Sequence, residues 1–419
     1  MRTEVVVVGA GPAGLAAAVR LAEAGRGVRL VARGNGFTHW GAGAVDVLGR
    51  VGDRRVEGPV EQLAGLAADH PYRLVGVEAL RDGLEWFRRF AAAAGLDHQG
   101  DPARNRDQVT ALGTLRRTCL LPAPAAAELR GRVAVVGIAG FRDFSAALCA
   151  RGLERAGHTV TSATVELPPW SHRRSFTAVE LARAFDDQDF RERLAPALAK
   201  AAAGAEVAVV PAVLGLSRGH EPWADLQRRA GLTLVEAALA PPSVPGLRLF
   251  AAYRRRLDEL GVSWQLGFPA NGVERDGDRV VAVRCEGAAR PVVIRCDEVV
   301  LATGGVAGHG IEANRDGSLR EVVAGLPVAG FPSRTGFVAG HFLAAHPIGA
   351  AGVRVDAELR PVGEDGAPLL ANLRCVGGLL AGHDPTVEGS REGVALATAA
   401  RVAASSGATD RTDQAVPRA

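Results

Sequence analysis

Gly9-Ala10-Gly11-Pro12-Ala13-Gly14 has the spacing that lets a backbone come close to a phosphate. The first glycine permits a tight turn, the second removes the side chain that would block a pyrophosphate, and the third lets the following helix pack on its strand. The motif follows four valines, Val5 to Val8, which read as a buried parallel strand. It opens an amphipathic stretch from Leu15 to Ala24, which leads to a second strand, Val28 to Val31. A lone glycine fingerprint is weak, but one set between strand, helix and strand predicts a nucleotide-binding βαβ unit. Its place at the start of a 419-residue chain favours a flavin over a nicotinamide.

Two later segments repeat this chemistry. The strand Glu298 to Leu301 runs into Ala302-Thr303-Gly304-Gly305, so Thr303, Gly304 and Gly305 are expected beside the cofactor. Asn372 to Val376 reads as a strand entering Gly377-Gly378, followed by a loop with Gly382, Gly389 and Gly393 and an alanine-rich helix from Val394 to Ala404. The first amides of a helix lack partners and favour anions or carbonyl oxygens, which places Gly393 among the expected cofactor contacts. Plain small-residue packing is the alternative for this helix.

The second strand ends in Ala32 and Arg33, where an FAD protein ordinarily carries an acid that accepts hydrogen bonds from the adenosine ribose. Without that acid, FMN is the expected cofactor and FAD the alternative. Arg33 is then available for a terminal phosphate, or is an ordinary surface arginine.

The elements that must position these turns form two blocks. Between about residues 51 and 240, helices (Val77 to Ala94, Ala178 to Phe185, Phe190 to Ala203) alternate with short strands (Val133 to Val136, Thr159 to Ala163, Val207 to Val210). After Pro241-Pro242 come a helix, Leu247 to Leu260, and four short strands read as an antiparallel meander: Val262 to Leu266, Asn271 to Arg275, Arg279 to Arg284 and Val292 to Ile294. The fold class expected is α/β: an FAD/NAD(P)-binding, Rossmann-like doubly wound flavoprotein fold with an inserted α/β unit. The flavin domain is expected over 1–50, 240–305 and 351–408, the cap over 51–239 and 306–350, and a disordered tail over 409–419.

Composition closes off several classes. Basic and acidic residues nearly balance, 49 against 46, and no basic run is interleaved with aromatics, so nucleic acid is not an expected partner. The five cysteines are scattered, with no clustered spacing for an iron–sulfur centre or zinc, so no metal site is expected. Apolar stretches such as Val207 to Leu216 are too short to span a bilayer, which leaves a soluble, cytoplasmic chain. Gly215-Leu216-Ser217-Arg218-Gly219, with His220 adjacent, imitates the nucleophile elbow of a hydrolase. However, Pro211 to Leu214 separate the strand from the serine, and Ser217 is expected to cap a helix from Trp223 to Ala230 instead.

A set of further motifs resembles the B subunit of anaerobic glycerol-3-phosphate dehydrogenase. It comprises the N-terminal stretch, His70-Pro71-Tyr72, Leu112-Gly113-Thr114-Leu115-Arg116, Val135-Val136-Gly137-Ile138 and Glu166-Leu167-Pro168. Pro211-Ala212 with Gly215-Leu216, Pro241-Pro242-Ser243-Val244 with Gly246-Leu247-Arg248-Leu249, and Leu359-Arg360-Pro361 complete it, in order across essentially the whole chain. The resemblance implies a flavoprotein subunit, usually assigned FMN, working with a related FAD-bearing A subunit and an iron–sulfur C subunit that docks at the membrane. The assembly would oxidise sn-glycerol 3-phosphate to dihydroxyacetone phosphate and pass electrons to quinone, on the inner face of the cell membrane. A stand-alone FAD-dependent dehydrogenase of another small hydroxy compound, and a structural subunit that binds flavin weakly, are the alternatives.

Oxidising a secondary alcohol on a flavin requires a base for the hydroxyl proton and cations for the substrate phosphate. Histidine suits the base. His39, between the second strand and Gly41-Ala42-Gly43, and His341 are the candidates, with His309 and His346 behind them. Arg116, Arg334 and Arg391 are the candidates to grip the phosphate. Each of these residues also fits an ordinary packing or surface role.

Overall fold

The computed structural model describes residues 2–167, 175–287, 290–330, 336–342 and 344–406. Arg334, Pro168 and the tail over 407–419 lie outside the described residues. The chain divides into two compact units. The first comprises residues 1–37, 46–87 and 253–419, and the second 38–45 and 88–252. Residues 51–87 and 306–350, assigned to the cap by sequence, therefore fall with the first unit.

In the first unit the opening strand Arg2–Val8 lies between Val28–Ala32 and Val292–Leu301, parallel to both. Val5, Val6 and Val7 are wholly buried, as expected for β-branched residues in a strand covered on both faces. Ser263–Leu266 extends the sheet beyond Val28–Ala32, and Leu373–Cys375 pairs in parallel with the last residues of Val292–Leu301. Arg279–Cys285 and Ala270–Asp276 close the other side in antiparallel pairing.

Two sequence expectations change here. Ser263–Leu266 is a parallel edge strand and not part of a meander, because the helix Val244–Glu259 before it acts as a crossover. Val292 to Ile294 and Glu298 to Leu301 are one ten-residue strand, Val292–Leu301. The polar residues between them keep the alternation, with Arg295 and Asp297 outward and Cys296 buried. Helix Pro12–Glu23 packs on the C-terminal helix Arg391–Ser406, and alanines on both allow the close approach. Helix Val77–Ala93 meets the same C-terminal helix at Gly83, where a Cβ would lie 2.6 Å from the Leu396 carbonyl oxygen.

The second unit contains a four-stranded, all-parallel sheet in the order Thr159–Val165, Arg132–Ile138, Val207–Pro211, Thr233–Ala237. Each connection carries helix: Ala146–Arg155, then Ala178–Phe185 and Gln188–Ala201, then Glu221–Ala230. The strand order reverses between the first and third strands of the chain, so this is a small doubly wound fold of its own. Thr177 and Glu180 form a capping box that starts its second crossover, satisfying two orphan donors at once. Two buried arginines tie it together. Arg191 meets Asp225 at 2.7 Å and the Phe185 carbonyl at 2.7 Å, and Arg248 forms a two-pronged pair with Glu236 at 2.9 and 3.0 Å.

Candidate functional site

Three of the parallel strands in the first unit end in glycine turns, and the three turns meet. Gly9 has φ +118°, and a Cβ there would stand 2.3 Å from the Ala302 carbonyl oxygen, so the first turn rests directly on the one after Val292–Leu301. Gly14 is equally constrained, its Cβ falling 2.0 Å from the Gly9 carbonyl oxygen. Gly377, after Leu373–Cys375, has φ +64° and would place a Cβ 2.6 Å from that of Ala13. A Cβ on Gly305 would come 2.9 Å from the Gly378 carbonyl oxygen. These glycines let three backbones pack against one another.

Gly11 differs from them. Its φ is −80°, ordinary for any residue, and a Cβ there would meet nothing within 4 Å. It is the N-cap of helix Pro12–Glu23, no side chain caps that helix, and no acid stands in its first turn. An open position before uncapped helix amides is where an anion is favoured. Thr303 adds a second unmet group, a buried hydroxyl with no hydrogen-bond partner. An unpaired buried polar atom costs about 1–3 kcal/mol, so such atoms mark places where something else binds. Gly36 seals the floor: its Cβ would lie 2.4 Å from both N and Cα of Gly11. The expected contacts Gly9, Gly11, Gly14, Thr303, Gly304 and Gly305 are thus gathered in one place, and they fit the pyrophosphate of a dinucleotide and its neighbouring ring.

Other expected residues stand differently. Arg33 is exposed at the end of Val28–Ala32, and Ala32 is buried with its carbonyl taken by the Phe268 amide. Gly393 is buried, but its amide donates to the Asp46 carbonyl at 2.8 Å and its α-carbon packs under the Tyr72 hydroxyl. The structure therefore shows Gly393 as a packing glycine. Arg391 lays its guanidinium 3.9 Å from the centroid of Phe37 and donates to Thr386 Oγ1 at 3.1 Å, which holds it near the Gly36 floor. His341 is exposed. His39 belongs to the second unit, as does Arg116. His39 is half-buried against Trp40 and Phe250, its Nδ1 has no partner, and burial holds its pKa below the usual histidine value. Arg116 donates to Gln108 at 2.7 Å on the hairpin Arg106–Val109 and Leu115–Thr118.

A family model described as "FAD binding domain" matches residues 4–394. The B subunit of anaerobic glycerol-3-phosphate dehydrogenase from Yersinia pseudotuberculosis is 32% identical, covering 96% of this chain and 97% of its own. The protein of the same name from Vibrio cholerae is 32% identical, with 95% of each chain covered. The chain belongs to this FAD-binding family, the B subunits of anaerobic glycerol-3-phosphate dehydrogenase. Among solved structures, 3-ketosteroid delta1-dehydrogenase from Sterolibacterium denitrificans aligns over 97% of this chain and 100% of its own, with 13% identity and a TM-score of 0.48. Family membership makes the cofactor a flavin, in keeping with the glycine turns. It gives FMN, the first expectation from Ala32, no support, and it does support the FAD alternative.

The nucleophile-elbow pattern comes to nothing. Ser217 is exposed, its amide donates to Asp186, and helix Glu221–Ala230 takes His220 as its N-cap without any side-chain cap bond. Ser217 stands too far ahead of the helix to cap it. His220 is buried, with its pKa pushed down to about 3 by burial and by the charges of Arg248 and His98.

Sequence reasoning passed over the role of His70-Pro71-Tyr72. Pro71 opens the short helix Pro71–Val75 and His70 caps it, its Nδ1 accepting from the Tyr72 amide at 3.1 Å. Tyr72 then sends its hydroxyl to the Val47 carbonyl at 2.6 Å and covers Gly393. The motif seats the first turn of the C-terminal helix. His383, buried in the loop before that helix, was also missed, and the only local hint was its place after Gly377-Gly378 and Gly382. Among the described residues no group of histidine, cysteine and acidic side chains is arranged to hold a metal, and no helix is long and apolar enough to cross a membrane.

Proposed function

We propose that this chain binds its flavin as FAD at the meeting of the three glycine turns and acts as the B subunit of a multi-subunit glycerol-3-phosphate dehydrogenase. The complex oxidises sn-glycerol 3-phosphate to dihydroxyacetone phosphate. Electrons leave through a related FAD-bearing A subunit and an iron–sulfur C subunit to quinone, and the latter holds the assembly at the inner face of the membrane. The observation that carries the reading is the open Gly11 position before uncapped helix amides, with an unpaired Thr303 hydroxyl in the turn that packs on Gly9, in a chain alike over its whole length to proteins of that name. The flavin supplies the acceptor for the hydride of the alcohol carbon. This chain's part is to hold the cofactor with Gly9–Gly14 and Thr303–Gly305 and to offer cations for phosphate. Arg391, near the nucleotide turn, is the first choice for a phosphate, with Arg33 second.

The test is anaerobic reduction of bound flavin by sn-glycerol 3-phosphate, followed at the flavin absorbance, in the chain alone and with both partners. Reduction in the assembled complex supports the reading. Stoichiometric flavin in this chain that no glycerol 3-phosphate reduces in any assembly would overturn its substrate. Ala32 favours a second reading, a structural subunit with weakly held flavin, which substoichiometric flavin in the full complex would support.

A further inference from the structure

The strand Thr159–Val165 forms one edge of the second unit's sheet, and its pairing with Arg132–Ile138 runs unbroken over all seven residues. An edge strand offers a row of unpaired amides and carbonyls to any other strand, and proteins blunt it with charge, proline, bulges, shortness or a cover. The other edges do so. Ser263–Leu266 and Leu373–Cys375 are short, and Ala270–Asp276 is bulged and carries Glu274, Arg275 and Asp276. At the far side of the second unit's own sheet, the Leu234 amide donates to Gln227 Oε1 at 3.0 Å and its carbonyl accepts from Trp223 Nε1 at 3.0 Å. Just beyond, Ala238 bonds with Val109 and Ala111.

Thr159–Val165 has none of these devices. Thr-Val-Thr-Ser-Ala-Thr-Val holds no charge, no proline and no glycine, and five of its seven residues are valine or threonine, which favour strands. Only Val165 is buried, whereas Arg132–Ile138 is buried from Val133 onward. The direction of the free groups follows from one bond. The Ala139 amide donates to the Val165 carbonyl, so Val165 turns its peptide groups toward Arg132–Ile138. By alternation those of Val160, Ser162 and Thr164 point away from the sheet. Among the described residues nothing pairs with them.

We infer that this edge pairs antiparallel with the same strand of a second copy of the chain, joining two four-stranded sheets across a two-fold axis at Ser162. That register sets Ser162 opposite Ser162 and Val160 opposite Thr164, so each outward residue meets an outward residue. Just beyond both ends it brings His158 of one copy opposite Glu166 of the other, where the ring can donate to the carboxylate. A slip of one residue turns the free groups away from one another, and a slip of two leaves an outward residue without a strand partner and separates His158 from Glu166. A strand that complements itself in this way is the shared patch of a two-fold dimer. One strand pair is a small interface, so its dissociation constant should be about 10 μM.

The experiment is sedimentation of the full chain with its flavin at stepped concentrations, with amide hydrogen exchange on the same samples. The wild-type chain should dimerise reversibly, and the amides of Val160, Ser162 and Thr164 should gain about tenfold protection only where it is dimeric. Proline is tolerated on an edge where its nitrogen faces away from the sheet, so Ser162→Pro should keep fold and flavin and weaken the dimer about 100-fold. Glu166→Lys should weaken it about fivefold, and adding His158→Glu should restore it. A wild-type chain still monomeric at about 100 μM, protection of those amides in the dilute monomer, or a dimer indifferent to Ser162→Pro would each overturn the inference. Protection that arises only when partner subunits are added would overturn the second copy as occupant and give the edge to a strand of another protein.

Discussion

At the carboxyl end of Val207–Pro211, in the second unit, the loop amides are met from within. Leu214 donates to Glu236 at 2.8 Å, Leu216 to Asp186 Oδ1 at 2.9 Å and Ser217 to Asp186 Oδ2 at 3.0 Å. At the carboxyl end of Arg2–Val8, in the first unit, Gly11 faces open space before uncapped amides, and the Thr303 hydroxyl, in the turn that packs on Gly9, has no partner. Both are parallel sheets with crossover helices, and both offer the strand ends where such sheets bind ligands. The difference lies in which side chains return to those ends. Carboxylates already occupy the nest in the second unit, and among the described residues no side chain caps the helix in the first. A doubly wound sheet is a binding site only where its own side chains leave the donors free.

The largest expected effect attacks the closed end. Arg248→Met leaves Glu236, nearly inaccessible, without its cation, and removing one partner of a buried pair costs about 3–5 kcal/mol. Urea denaturation of the purified chain should show that loss. A loss under about 1 kcal/mol would mean that the filled end does not hold the second unit together.

Gly11→Val attacks the open end. Its Cβ touches no protein atom and its φ suits any residue, so flavin-free stability should stay within about 0.5 kcal/mol of wild type. Flavin affinity should fall about 100-fold, or about 3 kcal/mol. Gly14→Val should instead abolish folding, because its Cβ would lie 2.0 Å from the Gly9 carbonyl. If Gly11→Val keeps flavin at wild-type affinity, the open position is not the cofactor's.

Acid should strain both units through one histidine each. His383 and His220 have folded pKa values near 4 and 3, below the ordinary 6.5, because burial disfavours their charged forms. As pH falls from about 6.5 the unfolded chain binds the proton first, so stability declines from there down to about pH 4, by up to about 3 kcal/mol for His383. Above pH 6.5 neither contributes a slope. Replacing either with leucine should flatten the stability–pH curve by one proton in that window, measured by denaturation at stepped pH. Slopes identical to wild type would show that these rings are already protonated or hydrated.

Thr303→Val should weaken flavin binding by about fivefold, the worth of one hydrogen bond of about 1 kcal/mol. The flavin-free chain should be no less stable, since the hydroxyl has no partner in the protein. Destabilisation of the flavin-free chain would mean that the hydroxyl has a structural role.

Much of this contrast was legible beforehand, and the reason is local. A run of valines, a glycine triplet and a helix of alanines each fix their own conformation, and Val5 to Val8 with Gly9 to Gly14 place one strand end without any other information. The helices and strands of the second unit follow the same logic. What escaped depends on distant partners. The partners of Gly393, Asp46 and Tyr72, lie some 350 and 320 residues away in the chain. The direction of Ser263–Leu266 was decided by the helix before it. His383 is nearly inaccessible and packs against the His70 ring. That property belongs to packing, and no spacing rule encodes it.

The smallest effect tests the adenosine end. Ala32 closes Val28–Ala32 where a carboxylate would accept from ribose hydroxyls, and Arg33 beside it is exposed. Ala32→Glu should tighten FAD by about tenfold, roughly 1.4 kcal/mol, and leave FMN unchanged, because FMN has no adenosine to receive the new acceptor. The measurement is titration of flavin-free protein with each flavin. A gain confined to FAD means that the adenosine reaches the end of this strand and is held there less firmly for want of an acid. An equal change for both flavins means that the substitution acts through the buried strand end itself. No gain, with FMN the tighter ligand in both proteins, would place the family's second nucleotide outside this site and return the cofactor to FMN.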